Sequence, residues 1–385
     1  MSDHDELRAA MGELVGVPPD HVALFWRGRV AMYAILRALG VGPGDEVIVS
    51  AFTCVAVPNA VLYAGATPVY VDIDEATYTP DPAAVAAAVG PRTRAILAQN
   101  TFGLSSDLDA LAEAAQGRAI VIDDCAHGLG GTYKGRPNGS LARASFFSTQ
   151  WSKPLSTGLG GIAVTPDPAL ARELRALERG AIEPRMRERV LLGAMLVARE
   201  RIARPRTMRA GRAAYRAVSR AGLVPGSSSG AELDGTQVPT GFDKGMSPLQ
   251  ARLGAQRLGT LPVRLRRRRA IADRYSALLR RCGGTPVHEP SFAGHAFLRY
   301  PVRVADPDAL VAQAARRGVL LGDWFRSPVY PIEGDLSPWG YRRGAYPIAE
   351  RVASEIVNLP TDVAPDGREL SVIEELLSAV GQPAS

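Results

Sequence analysis

Lysine is almost missing from this chain. Of its 45 basic residues only Lys134, Lys153 and Lys244 are amines. The heavy use of arginine, together with abundant alanine and glycine, matches codon bias in a GC-rich genome. The net charge of +6 is therefore a poor argument for a nucleic-acid partner, and none is expected. Cysteine is scarce as well. Cys54, Cys125 and Cys282 stand 71 and 157 residues apart, a spacing that suits no zinc or iron–sulfur site and closes no paired framework. Reduced thiols and no metal are the expectation. No run of about 18 apolar residues occurs, which argues against a spanning helix, and the opening M-S-D-H-D-E-L-R has no apolar signal core. A cytoplasmic protein without membrane contact is expected.

What the chain does have is length and an ordinary apolar content. Its 385 residues, 46% of them hydrophobic, suit two domains and a sizeable core. Short strand-like runs at Glu46–Val49, Thr67–Val71, Thr93–Leu97 and Ala119–Ile122 alternate with helical patterns at 56–63, 82–89 and 107–115. That alternation predicts an α/β domain with a mostly parallel sheet, whose ligands bind at the carboxyl edge of the strands. A large domain over 1–250 and a smaller α+β domain over 251–385 are expected. The smaller one has strands at Phe297–Val304 and Val319–Asp323 and helices at 307–317, 347–357 and 368–380.

Against so few lysines, Lys153 stands out in F-F-S-T-Q-W-S-K-P-L-S-T-G-L-G-G, Phe146 to Gly161. An amine can lose its proton and condense with a carbonyl, which a guanidinium cannot. Its hydroxyl-rich and glycine-rich flanks suit a phosphate; a surface lysine in a turn is the plain alternative. Two other stretches add chemistry. A helix beginning at Gly28-Arg29, with Val30 as its first apolar residue, offers its N-terminus to an anion. The strand ending in Asp123-Asp124 is followed by Cys125-Ala126-His127, where an Asp can hold a ring nitrogen protonated and a His can donate to a ring oxygen. Alone, the first stretch reads as a plain helix start and the second as a capping Asp with a structural His. In order, Gly28-Arg29, Asp124, His127, Ser148 and Lys153 are the parts that hold pyridoxal 5'-phosphate.

At that point the chain resembles the DegT/DnrJ/EryC1/StrS family of sugar aminotransferases, which have the fold-type I pyridoxal-phosphate architecture. The resemblance includes G-P-G-D-E-V-I-V (Gly42–Val49), A-G-A-T-P-V-Y-V-D-I-D (Ala64–Asp74) and F-G-L-S-S-D-L-D (Phe102–Asp109). It continues through D-D-C-A-H-G-L-G-G-T-Y-K-G (Asp123–Gly135), the lysine segment, M-S-P-L-Q-A (Met246–Ala251) and Y-P-I-A-E-R-V-A-S-E-I-V-N-L-P (Tyr346–Pro360). It implies that Lys153 carries the cofactor and shuttles a proton, that Asp124 meets the pyridine nitrogen, His127 the ring oxygen and Ser148 the phosphate, and that Asp123 is structural. It also implies a homodimer with shared active sites, glutamate or glutamine as amino donor and a keto-sugar, nucleotide-linked, as acceptor.

The chain departs from that pattern in four places. Arg29 replaces the Thr of a Ser-Gly-Thr phosphate turn. Asp243-Lys244 stands in a segment where Gly-Tyr-Asn-Tyr-Arg is usual and the Asn and Arg reach the partner's site. Cys54 replaces a ring-stacking aromatic, and Leu159 replaces a Glu. An Asp facing a phosphate repels it unless Arg29 or Lys244 restores positive charge; the expectation is that Arg29 does. Residues 185–236 read as an insertion with eight arginines between Arg199 and Arg220 and a flexible loop at Val224–Gly230. A solvated helical pair, a nucleotide-diphosphate site and a membrane or nucleic-acid surface are the open readings of it. The basic helix at 263–279 reads as a solvated face. His295, Arg326 and Tyr330 lie where family members approach substrate, with structural roles equally open. The alternatives to amino transfer are a pyridoxal-phosphate sugar dehydratase and a non-catalytic regulatory homologue.

Overall fold

The computed structural model describes residues 2–202 and 230–380, so most of the Arg199–Arg220 stretch and of the Val224–Gly230 loop lies outside the described residues. The first ten strands run β1 (Val22–Phe25), β2 (Glu46–Ser50), β3 (Thr53–Cys54), β4 (Thr67–Val71), β5 (Thr93–Gln99), β6 (Ile120–Asp124), β7 (Thr132–Tyr133), β8 (Arg136–Pro137), β9 (Ala144–Ser148) and β10 (Gly161–Val164). Seven of them form one sheet in the order β1-β10-β9-β6-β5-β2-β4. The pairs β4–β2, β2–β5, β5–β6 and β6–β9 are parallel, and β10 runs against both β9 and β1.

Side-chain alternation along each strand explains why this sheet is covered on both faces. Val47 and Val49 of β2 and Ala95 and Leu97 of β5 enter one core, while Ile48, Ile96 and Ala98 enter another. The first core takes the apolar sides of α2 (Gly28–Ala38), α3 (Ala56–Tyr63) and α6 (Pro168–Arg179), and the second those of α4 (Pro82–Ala88) and α5 (Leu108–Ala114). At the β1 edge, Val22, Leu24, Ile162 and Val164 turn to a third core shared with α1 (Asp3–Val15) and the helix Pro248–Leu258. Ser2 and Asp5 close a capping box on α1, and Ser247 with Gln250 closes one on that later helix.

A separate core gathers Ile271, Tyr275 and Leu279 of the helix Leu261–Arg281 with Leu310, Ile373 and Leu377 around the antiparallel pair β12 (Tyr300–Arg303) and β14 (Ile356–Leu359); β11 is Ala293–Gly294. Arg268 departs from the solvated face expected of its helix. It is buried and donates to the carbonyls of Phe297 (3.2 Å) and Leu298 (3.0 Å) and to Thr361 Oγ1 (2.7 Å). The strand expected at Val319–Asp323 shrinks to one bridge, Gly322 with Asn358, because the chain then swings toward the large sheet. There β13 (Val329–Tyr330) pairs in parallel with Thr53–Cys54 of β3. The expected strand at 119–122 runs on to Asp124, so both carboxylates belong to the strand itself.

Candidate active site

Strand register aligns Phe25, Gly161 and Ser148 across β1, β10 and β9. The helix start that follows β1 therefore lands beside the end of β9. A Cβ on Gly28 would stand 2.8 Å from Ser148 Cβ and 3.1 Å from its hydroxyl, so only glycine lets the Ser148 hydroxyl sit against the first turn of α2. That turn has no side-chain cap and no acidic residue. Val30 is buried, and its N–H donates within the turn to Arg27 O (3.1 Å).

Lys153 sits in a loop pinned at both ends. Thr149 N–H donates to Gly160 O (3.0 Å), Thr157 N–H to Thr149 O (2.8 Å), Lys153 N–H to Gln150 O (2.9 Å) and Gln250 Nε2 to Leu159 O (2.7 Å). At Gly160 (φ 152°) a Cβ would meet Thr149 Oγ1 at 2.0 Å, so the loop closes only around glycine. Leu159 is buried with Trp26 against Leu192 and Leu196 of α7 (Met186–Ile202). An aliphatic side chain here docks the first helix of the insertion.

The neighbouring carboxylates differ. Asp123 accepts from Asn100 Nδ2 (2.7 Å) and Gly139 N–H (2.8 Å) and is fully engaged in the fold. Asp124 accepts from Ala126 N–H (2.9 Å). Burial pushes its pKa up to about 7, opposed by the Ala126 N–H and by Lys153. Burial pushes Lys153 down to about 8; Cys54 and Asp124 oppose the fall, while Arg299 and Arg29 add to it. His127 Nδ1 accepts from Phe102 N–H (3.3 Å), which Phe102 offers from a left-handed turn (φ 55°). Burial, Lys153 and Arg299 hold the imidazole pKa well below the usual value. The ring is thus neutral at pH 7 with its proton on Nε2, a donor.

One residue absent from the sequence reading joins these groups. Trp324 stacks on His127 (5.2 Å, 11°), lies 4.8 Å from Lys153 Nζ and carries the Arg299 guanidinium at 5.3 Å. Phe325 also stacks on His127 (5.6 Å). Cys54 lies within electrostatic reach of Lys153 and Arg29. Trp324 reaches this place through the β3–β13 pairing, a long-range contact that no local motif announces.

The remaining expected residues are placed as follows. The Arg29 side chain is 7% exposed and pairs with Glu232, which also holds Arg27 at 3.1 Å. Lys244 Nζ donates to Glu188 Oε1 (2.5 Å), and its carbonyl accepts from Trp26 N–H (2.9 Å). Asp243 is exposed, its carbonyl accepting from Ile182 N–H (3.0 Å). Both cations expected to offset Asp243 thus meet carboxylates of this chain. Tyr330 pairs with Cys54 through the backbone, and Arg326 reaches Asp308 (3.1 Å). His295 stacks on Phe297 (4.0 Å), and burial and Arg269 push its pKa down to about 3. It lines a cleft of about 400 Å³ with Arg266 and Arg269 instead of joining Lys153.

The residues fit pyridoxal 5'-phosphate on three counts: a buried amine of lowered pKa, a buried carboxylate of raised pKa that a cationic ring nitrogen would relieve, and a glycine-made gap beside a hydroxyl at a helix start. Fold and site together define a pyridoxal-phosphate-dependent transferase. The sequence model described as the DegT/DnrJ/EryC1/StrS aminotransferase family matches residues 2–377, and the chain belongs to that family. It is similar to spore coat polysaccharide biosynthesis protein SpsC of Bacillus subtilis (strain 168), with 32% identity over 340 residues covering 86% of this chain and 77% of that protein. It is also similar to UDP-2-acetamido-2-deoxy-3-oxo-D-glucuronate aminotransferase of Pseudomonas aeruginosa, with 28% identity covering 90% and 82%. Among solved structures, the aminotransferase TlmJ from Streptoalloteichus hindustanus superposes with a TM-score of 0.75 at 26% identity, covering 98% of this chain and 90% of that one.

Proposed function

We propose that this aminotransferase moves an amino group from glutamate or glutamine to a nucleotide-linked keto-sugar, working as a homodimer. The observation that carries the reading is the meeting of Lys153, Asp124 and neutral His127 beneath Trp324 at the carboxyl edge of a parallel sheet. The named acceptor of the Pseudomonas relative, a UDP-linked oxo-sugar, supports the substrate class.

When bound, the cofactor supplies an aldehyde for exchanging amino groups and a ring that draws electrons from the adjacent carbon. The protein's share is positioning, charge and proton transfer. Asp124 would keep the ring nitrogen protonated, and its raised pKa shows how much burial favours having a cation beside it. His127 Nε2–H would donate to the ring oxygen. Ser148 and the start of α2 at Gly28 would take the phosphate. Lys153 Nζ, deprotonated near pH 8, would take the proton from the donor's α-carbon and return it to the other carbon. The indole of Trp324 keeps water from the amine on one side.

The test is the visible absorption of the purified protein alone, with glutamate and with glutamine, beside Lys153→Ala. A band that glutamate bleaches, and that the variant lacks, is expected. A band unaffected by either donor would replace amino transfer with dehydration. No band after added cofactor would favour a regulatory homologue.

A further inference from the structure

The cation that sequence reasoning assigned to the phosphate already has an anion. Glu232 is 0% exposed, and its two carboxylate oxygens hold Arg27 and Arg29, the residues on either side of Gly28. The short helix Gly230–Asp234 that carries it is anchored through α3: Asn59 Nδ2 donates to Glu232 O (2.9 Å), and Trp339 Nε1 donates to Asn59 Oδ1 (2.7 Å). A hydroxyl faces the same cluster. Tyr63 is 6% exposed, and its Oη has no hydrogen-bond partner among the described residues. It feels Glu232, Arg29 and Arg27 electrostatically. Its ring meets Phe242 edge-on at 4.9 Å, which brings the Asp243 segment alongside.

Two largely buried guanidiniums share one fully buried carboxylate. The trio lies where α2 begins, next to Ser148, with Arg29 in electrostatic reach of Cys54 and Lys153. A phosphate monoester brings up to two charges and three acceptor oxygens against one charge and two oxygens on a carboxylate.

We propose that Glu232 is a built-in counter-anion for a phosphate site made by Arg27, Arg29 and Tyr63, holding the arginines until a phosphate monoester displaces it from Arg29. The assignment of that monoester to the cofactor rests on the function proposed above; the anion site itself does not. Glu232 thus sets how tightly the protein takes phosphate.

The probe is inorganic phosphate against thermal unfolding of cofactor-free protein, with chloride at equal ionic strength as control. Glu232→Gln should melt lower than wild type and be rescued by phosphate, with the half-effective concentration falling at least threefold. Glu232→Asp should behave like wild type. Tyr63→Phe keeps every charge and removes only the orphan hydroxyl, so it should raise that concentration. Equal phosphate responses in all four proteins would overturn the proposal and leave Glu232 a structural counter-ion. Should Glu232→Gln not fold, an unchanged response in Tyr63→Phe overturns it alone. Lys153→Ala should keep the phosphate response while losing the visible band, so a band missing from wild type sinks the cofactor assignment without touching the anion site.

Discussion

Lys153 gains its reactivity from where it is buried. A protonated amine cannot attack a carbonyl, and burial lowers its pKa to about 8. The neutral fraction grows as pH rises toward that value, so cofactor capture should accelerate about tenfold per pH unit up to about pH 8 and level off above it. Stopped-flow growth of the visible band between pH 6 and 10 checks this. A rise continuing to about pH 10 would mean that the amine is solvated. At this scale the sequence was partly legible. Asp124, His127, Ser148 and Lys153 lie in motifs whose order can be read along the chain, and the structure gathers them. Trp324 and Glu232 could not be read. Each owes its place to a contact far away in sequence, Trp324 through β13 against β3 and Glu232 through Asn59 of α3.

Among the elements, the lysine loop and α7 depend on one another. Leu159, which stands where the resemblance implies a Glu, fills the cluster of Trp26, Leu192 and Leu196 that seats α7. Leu159→Glu would bury an uncompensated carboxylate there, at a cost of about 3–5 kcal/mol. The helix should detach before the sheet melts, so limited proteolysis should cut within α7 in the variant and spare it in wild type. An unchanged digestion pattern would show that the cluster accommodates the charge. The parallel strands were easy to anticipate because apolar runs between helical periods leave few other folds. Residues 319–323, expected as a strand, form only one bridge because their apolar residues serve the small core and the chain then turns, a pattern that period alone cannot separate from a strand.

For the whole molecule, the proposed homodimer should sediment at about twice the 40.9 kDa chain mass. The described chain supplies Lys153, Asp124, His127 and Ser148 by itself, and its own Lys244 segment hydrogen-bonds to Trp26 beside the phosphate turn. A monomer that retains the full glutamate-sensitive band would therefore locate every necessary group on one chain and dispose of the shared site.

Between the Gly322 bridge and the β3–β13 pair, residues 323–328 are held at both ends by main-chain hydrogen bonds: Gly322 N–H to Asn358 O (2.7 Å), Thr53 N–H to Pro328 O (2.8 Å) and Val55 N–H to Tyr330 O (2.8 Å). Between those backbone anchors the buried Phe325 ring packs on Phe52, Phe102 and His127, so the segment that presents Trp324 to Lys153 behaves like a hinge pin: its ends are fixed by main chain, and any replacement of its six residues has to keep an aromatic ring at 325.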